Sequence, residues 1–143
     1  MERIKLTPPE EFKFSTKIKV RITDINYGNH VGNDTFLSYL HEARMQYLNH
    51  FNHTELNVNG CSLIMSDIAV QLKNELIYGD EFEAFVQATN FDKLGFDIFY
   101  KLINTKTQAV VAIAKTGMVC FDYNLKKKIS LPDSFNENFN KAD

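Results

Sequence analysis

The chain has 143 residues, of which 44% are hydrophobic, and this is enough for one domain with a hydrophobic core. Its formal net charge is −2 with both signs interspersed, which argues against nucleic acid as the main partner. No stretch is long and apolar enough to span a bilayer, and the N-terminal residues lack the apolar core of a signal peptide. We therefore expect a cytoplasmic protein. The two cysteines, Cys61 and Cys120, lie in apolar runs without a C-x-x-C pair, and we expect both to be reduced.

A strand, a polar loop and a long helix are predicted first. Alternating apolar residues over 16–22 are typical of a half-buried strand. After the loop, apolar residues recur at helical spacing and predict a helix over 33–51, with Asn33 as its N-cap and Asp34 in its first turn. The apolar stripe of this helix consists of Phe36, Leu37, Leu40, Ala43, Tyr47, Leu48 and Phe51.

Strands follow one another in the rest of the chain. Alternating apolar residues predict four of them, separated by polar turns. They cover residues 68–72, 82–88, 95–103 and 109–123. We interpret residues 1–143 as a single domain without internal repeats, and we expect its tail, residues 135–143, to be frayed.

One helix and several antiparallel strands pack well when the sheet curls around the helix and buries its apolar stripe, which gives an α+β domain. Such a sheet leaves an edge strand, and pairing the edges of two copies is one way to cover it. We therefore expect a homo-oligomer, either a homodimer or a homotetramer.

The loop ahead of the helix carries Asp24, Asn26, His30 and Asn33. The first turn of a helix has free backbone N–H groups and the positive end of the helix dipole, so it can polarise a carbonyl group or hold an oxyanion. The loop therefore suits acyl-transfer chemistry. An ordinary polar turn before a capped helix is the alternative interpretation.

Residues 20–33, V-R-I-T-D-I-N-Y-G-N-H-V-G-N, resemble the motif of hotdog-fold acyl-CoA thioesterases of the 4-hydroxybenzoyl-CoA thioesterase type, V-R-x-x-D-x-D-x-x-G-H-V-N-N-x-x-Y. The sequences E-A-R at 42–44, I-Y-G-D at 77–80 and F-D-Y-N-L-K-K-K-I-S-L-P at 121–132 also resemble this family. The resemblance covers about residues 14–133. It implies a hotdog fold, an antiparallel sheet wrapped around one long central helix. It also implies hydrolysis of an acyl thioester, acyl-CoA or acyl-carrier protein, to free acid and thiol.

In that family the second acidic residue of D-x-D acts as nucleophile or general base, and a backbone N–H at the helix start polarises the thioester carbonyl. The resemblance places the N–H role on Asn33, with Gly32 allowing the backbone to come close. The acidic position holds Asn26, whose carboxamide cannot accept a proton as a base. Asn26 can still donate to an oxyanion or orient a water molecule, so the base must be another residue.

Asp34 and Glu42 are the candidates for that base. Asp34 lies near the same N–H groups, and its alternative role is to stabilise the helix dipole. Glu42 lies two turns into the helix and can point into a cleft between subunits, or form an ion pair with Arg21 or Arg44. Asp24 matches the first acidic residue of the motif, and we expect it to brace the loop.

Four further residues are expected near the substrate. His30 matches the histidine of the motif and can orient the substrate or shuttle a proton, or else brace the loop. Tyr27 is expected to contact the substrate together with the Gly32 backbone. Lys126 and Lys128 can meet the phosphates of coenzyme A, although a run of charges is usually a solvated turn. We expect no cofactor, and the histidines lack the spacing and partners of a metal site.

Two other functions stay open. Asn26 is compatible with a non-catalytic hotdog module that binds acyl thioesters. The loop at 24–30, D-I-N-Y-G-N-H, is also similar to the D-x-N-P-x-H loop of hotdog hydratases and dehydratases. Here the histidine comes one residue later and the proline is absent, which makes an enoyl-thioester hydratase the less favoured alternative.

Overall fold

The computed structural model describes residues 1–140, which form one antiparallel sheet and one long helix. The helix, α1, covers Thr35–His50. The strands in chain order are β1 Phe14–Lys19, β2 Ser62–Leu72, β3 Glu81–Thr89, β4 Gly95–Asn104, β5 Val110–Asp122 and β6 Lys127–Ile129. Short 3-10 helices cover Ile22–Asp24 and Phe135–Phe139. Within residues 1–140, no helix combines the length and apolar character needed to cross a membrane.

The strands lie side by side in the order β1-β3-β4-β5-β2, all neighbours are antiparallel, and the short β6 pairs with the C-terminal end of β5. The sheet wraps around α1, as predicted for a hotdog fold. Strands β3 and β4 bury alternate residues against the helix, in the period that the sequence shows. Their buried apolar residues include Phe82, Ala84, Val86, Ile98, Tyr100 and Leu102. β2 is the edge strand beside β5, and β1 is the opposite edge.

Several element boundaries differ from the prediction, and β2 begins at Ser62 where the sequence pattern predicted a start at 68. The helix begins at Thr35 with Asp34 as its N-cap, because the N–H of Thr35 bonds to the carbonyl of Gly32 and Asn33 belongs to the turn before it. The first strand ends at Lys19, and Ile22 lies exposed in a 3-10 turn. That turn is closed by Asp24, whose carboxylate accepts the N–H of Arg21 at 2.9 Å.

The expected fraying of the tail is wrong for residues 135–139. They form a 3-10 helix whose Phe135 and Phe139 are buried, because both rings pack on Phe96 and the ring of Phe139 also stacks on Tyr47. This 3-10 helix covers part of the hydrophobic core. Asn140 follows this helix and bonds to the carbonyl of Glu137, and residues 141–143 lie outside the described residues.

The prediction that both cysteines are reduced is also wrong. Cys61 and Cys120 form a disulfide with a Cα–Cα distance of 5.7 Å. The β2–β5 pairing brings them together, since Leu63 lies opposite Cys120. The two cysteines are 59 residues apart in the sequence, so no local sequence pattern predicts this contact.

Candidate active site

Asp24 is the anchor of the loop that leads into α1. Its side chain is only 6% exposed, and its carboxylate accepts hydrogen bonds from the Arg21 N–H at 2.9 Å and the Tyr39 hydroxyl at 2.7 Å. Its backbone carbonyl accepts the N–H of Gly32 at 3.2 Å. Burial, followed by the hydrogen bond and the charge of Asp24, raises the pKa of Tyr39, so Tyr39 stays a neutral donor. Asp24 therefore has the bracing role that was predicted for it.

Asn26 shapes the tip of the same loop. Its N–H bonds to the carbonyl of His30 at 2.9 Å, and its side-chain oxygen accepts the N–H of Gly28 at 2.8 Å. Ile25 and Val31 form an antiparallel bridge across the loop. The carboxamide oxygen is thus engaged in holding a tight turn.

Gly32 allows Asp34 to fold back onto this loop. A Cβ atom at Gly32 would stand 2.6 Å from Oδ1 of Asp34 and 3.7 Å from Nδ2 of Asn26. The Asp34 carboxylate and the Asn26 carboxamide therefore both lie close to Gly32. The side chain of Asp34 makes no capping hydrogen bond to α1.

The backbone just ahead of α1 has two free donors. Among residues 1–140, no group accepts a hydrogen bond from the N–H of Asn33 or Asp34. Both residues are exposed. Two adjacent N–H groups at the positive end of a helix dipole suit the binding of a negatively charged oxygen.

A cleft of about 220 Å³, the helix-start cleft, opens beside these donors. It is lined by His30, Val31, Asn33, Phe36, Leu72, Lys73, Asn74 and Glu75. The N–H of Val31 bonds to the carbonyl of Leu76 at 2.8 Å and so ties the loop to the segment after β2. Nδ1 of His30 is 3.2 Å from the carbonyl oxygen of Val31, and its Nε2 is 4.0 Å from Oε1 of Glu75. Glu75 belongs to no sequence motif, and only the fold places it near His30.

A larger cleft of about 570 Å³, the α1–β2 cleft, continues along the helix. Its apolar lining is Leu37, Leu63, Ile64, Met65, Ile68, Met118 and Tyr123. Residues of α1 and β2 line both clefts: Phe36 and Leu72 in the helix-start cleft, Leu37 and Ile68 in the larger one.

The α1–β2 cleft also has a polar wall built around buried Arg44. Nε of Arg44 donates to Glu55 at 2.7 Å and Nη1 donates to the Tyr100 hydroxyl at 3.2 Å, while His41 lies 3.5 Å from Glu55. Burial opposes the charge of Arg44, but Tyr100 and Glu55 outweigh it and raise the pKa of the guanidinium. Arg44 therefore keeps its positive charge in the core, where the carboxylate of Glu55 balances it.

The structure does not bring every predicted residue to the helix-start cleft. Glu42 lies on the opposite side of α1, in a separate cleft beside Lys17, Lys19 and Arg21 of the β1 edge. Within residues 1–140 it forms no ion pair, and its suggested partner Arg44 binds Glu55 instead.

The remaining predicted contacts lie at the surface. Tyr27 is fully exposed at the loop tip. Lys126 and Lys128 belong to the exposed β5–β6 hairpin, whose Tyr123 lines the α1–β2 cleft at the end remote from His30. In one copy of the chain, these lysines do not reach the start of α1.

Comparison with known proteins places this site in context. The model of the thioesterase-like superfamily matches residues 20–139. None of the curated proteins compared with the chain matches it. Among solved structures, a 1,4-dihydroxy-2-naphthoyl-CoA thioesterase from Synechocystis is similar with a TM-score of 0.79 and 20% identity, over 90% of this chain and 96% of that one.

Two other solved structures show the same fold. The probable thioesterase YbaW from Escherichia coli has a TM-score of 0.78 and 21% identity, over 90% of this chain and 97% of that one. A thioesterase from Thermus thermophilus, complexed with coenzyme A and Zn, has a TM-score of 0.78 and 20% identity, over 92% of this chain and 100% of that one. The fold is shared throughout, and the family model spans most of the sequence including the loop and α1. The chain belongs to the thioesterase-like superfamily.

Proposed function

We propose that the protein hydrolyses an acyl thioester of coenzyme A to a free acid and a free thiol. The observation that carries this proposal is the pair of free N–H groups of Asn33 and Asp34 at the start of α1, beside a cleft that Asn33 lines. A thioester carbonyl placed there gains negative charge on its oxygen when water attacks the carbon. Donors fixed in advance around that oxygen stabilise the transition state more than the ground state.

The acyl group is proposed to lie in the α1–β2 cleft. This cleft is mostly apolar, and α1 and β2 line it as they line the helix-start cleft. An acyl chain in it would remove apolar surface from water and hold the carbonyl carbon at the helix start.

The proposed site keeps four of the residues predicted at the loop and helix start. Asn33 supplies its N–H, and Gly32 leaves room for the Asp34 carboxylate above the loop. The Nδ2 group of Asn26 lies near Gly32, and it can orient a water or the carbonyl because only Oδ1 is bonded to Gly28. We leave Glu42 out of the site, because it faces the β1 edge.

A second copy of the chain is proposed to complete the site for the carrier. β2 is an unpaired edge, and antiparallel pairing with β2 of another copy would set the Leu72 end of one strand beside the Ser62 end of the other. The β5–β6 hairpin lies at the Ser62 end, since Ser62 pairs with Phe121 and Phe121 with Lys128. Lys126 and Lys128 of the partner subunit would then lie beside the helix-start cleft, where their ammonium groups could bind the phosphates of coenzyme A.

The test is release of free thiol from a panel of aliphatic, aromatic and hydroxylated acyl-CoA substrates. Two matched pairs of variants isolate the N–H donors: Asn33→Pro against Asn33→Ala, and Asp34→Pro against Asp34→Ala. Asp34 has a φ of −66°, which proline adopts, so Asp34→Pro removes the N–H without forcing that angle. Loss of one oxyanion donor is expected to lower kcat about 100-fold or more relative to the alanine partner.

Three results separate the candidate functions. Thiol release that falls in the proline variants supports hydrolysis at the helix start. Acyl-CoA binding without thiol release favours the acyl-binding module, and hydration of an enoyl-CoA without thiol release favours the hydratase. Thermal melting of each variant confirms that it is folded.

A further inference from the structure

The helix-start cleft contains an imidazole and a carboxylate, those of His30 and Glu75. Its other polar lining groups are the amides of Asn33 and Asn74 and the ammonium of Lys73. Asn26 and Asp34 are not among the residues that line it. This pair is therefore a candidate for the base that Asn26 cannot supply.

The geometry of His30 fixes which of its ring nitrogens can act. Nδ1 lies 3.2 Å from the carbonyl oxygen of Val31, so it donates its hydrogen there. Nε2 then carries the lone pair. Nε2 lies 4.0 Å from Oε1 of Glu75. It also lies close to Gly28, where an added Cβ atom would be 3.1 Å from it.

The two segments that carry His30 and Glu75 are held together by backbone contacts. Val31 donates its N–H to the carbonyl of Leu76, directly beside both residues. On the other side, the N–H groups of Lys73 and Asn74 both bond to the carbonyl of Val111, and the Asn74 side chain bonds to the carbonyl of Val110 at 2.7 Å. These hydrogen bonds fix the backbone of His30 relative to that of Glu75, although the two residues are distant in sequence.

We infer that Nε2 of His30 is the general base of the reaction, and that Glu75, 4.0 Å from it, is a positioning residue. The inference rests on the proposed function. His30 takes a proton from water as the water oxygen bonds to the thioester carbon and the carbonyl oxygen becomes an oxyanion at the Asn33 and Asp34 N–H groups. When the carbonyl re-forms, the C–S bond breaks and the thiolate takes the proton back from His30. No oxidant, metal or further reactant is needed.

Glu75 acts through His30 in this scheme. Its carboxylate stabilises the imidazolium that forms in the transition state, and a separation of 4.0 Å in the free protein can shorten when the ring becomes charged. The loop of this chain therefore does with a histidine and a distant glutamate what the related motif does with one acidic residue at position 26.

The first part of the test compares kcat and KM on the best acyl-CoA substrate. His30→Ala is expected to lower kcat about 100-fold or more, and Glu75→Gln about tenfold with KM nearly unchanged. The matched controls are His50→Ala, at the far end of α1, and Glu83→Gln, on β3; both are expected to keep the parent kcat.

The second part uses Asn26→Asp, which returns an acidic residue to the loop. In the His30→Ala background, Asn26→Asp is expected to recover kcat to within about tenfold of the single Asn26→Asp variant. Recovery shows that His30 and the carboxylate do the same task. A purely structural role of His30 would leave the double variant as impaired as His30→Ala.

A third readout is independent of turnover. Nitrogen-15 NMR of the His30 ring is expected to show a protonated Nδ1 and an unprotonated Nε2, and the fraction in that form to change in Glu75→Gln. The inference is overturned if Nε2 carries the proton, if His30→Ala keeps more than about a tenth of the parent kcat, or if Glu75→Gln matches the parent in kcat. A parent protein that releases no thiol from any acyl-CoA overturns the proposed function, and the base role falls with it.

Discussion

The hydroxyl group of Tyr39 donates a 2.7 Å hydrogen bond to the carboxylate of Asp24, and this bond joins the second turn of α1 to the loop before it. Both side chains are buried, so water cannot replace either partner. The contact sets the position of the helix start relative to the loop, and the free N–H groups of Asn33 and Asp34 depend on that position.

Tyr39→Phe is therefore expected to lower the free energy of unfolding by about 1–3 kcal/mol, because it leaves part of a buried carboxylate unsatisfied. Urea denaturation of the parent and the variant measures the difference. Tyr78→Phe is the control, since Tyr78 is exposed and is expected to change stability by less than about 0.5 kcal/mol. Equal effects of the two substitutions would contradict the bracing role of Asp24.

Most of the fold is predictable from the sequence because its signals are local. The stripe of apolar residues in α1 and the alternation in β3 and β4 arise from the geometry of each element alone, and the structure buries those faces except for Leu37, which is half exposed. The wrapping of the sheet follows, because a single helix and a long antiparallel sheet can bury both apolar surfaces only against each other.

The details of the site depend on contacts that are distant in sequence. Asp34 rather than Asn33 becomes the N-cap because Thr35 turns back onto Gly32, and Ile22 leaves the strand because Asp24 closes a turn beneath it. Glu75 reaches His30 only because the segment after β2 is bonded to Val31 through Leu76. Spacing along the chain contains none of this information.

Alkaline pH provides a second prediction, centred on Tyr47. Burial raises the pKa of Tyr47 to about 12; the Ala88 N–H, which donates to its hydroxyl at 3.0 Å, works in the opposite direction. An unfolded tyrosine has a pKa of about 10. Below that pH both states keep the proton, and above it the unfolded state loses the proton first. The stability contributed by neutral Tyr47 is therefore lost as pH rises from about 10 to about 12, by about 3 kcal/mol in total.

The measurement is urea unfolding at a series of pH values between about 9 and about 12, for the parent and Tyr47→Phe. The variant is expected to be less stable at neutral pH by about 1 kcal/mol, because the Ala88 N–H loses its partner. Its stability should then fall less steeply above a pH of about 10 than that of the parent. Identical slopes would show that Tyr47 does not hold its proton in the folded state.

The polar wall of the α1–β2 cleft leads to a third prediction. Glu55→Gln removes the negative charge beside buried Arg44, and we expect the free energy of unfolding to fall by about 2 kcal/mol. Lys115→Met is the comparison, because Lys115 makes a pair of similar length with Asp67, which is largely exposed; it is expected to cost less than about 1 kcal/mol. Urea denaturation measures both changes. A larger loss for Lys115→Met would mean that burial does not govern the strength of these pairs.

The edge strand β2 leads to the last prediction, which concerns assembly. Four apolar side chains along β2 and the neighbouring face of α1 are about half exposed: Leu37 at 50%, Met65 at 42%, Ile68 at 41% and Leu72 at 48%. An unpaired strand flanked by such side chains is open to pairing with a second copy. We expect the parent to be at least a dimer by light scattering coupled to size-exclusion chromatography.

Ile68→Lys puts a charge in the middle of that surface and is expected to yield a monomer, whereas Leu94→Lys, at an exposed apolar residue in the β3–β4 turn, is expected to leave the assembly intact. The monomer should also show a higher KM for acyl-CoA, because Lys126 and Lys128 of the partner subunit are then absent from the helix-start cleft and because Ile68 itself lines the α1–β2 cleft. If Ile68→Lys keeps the parent mass, the copies associate through another surface. If it becomes monomeric with an unchanged KM, the lysines do not contact the carrier, and each chain binds coenzyme A with its own residues.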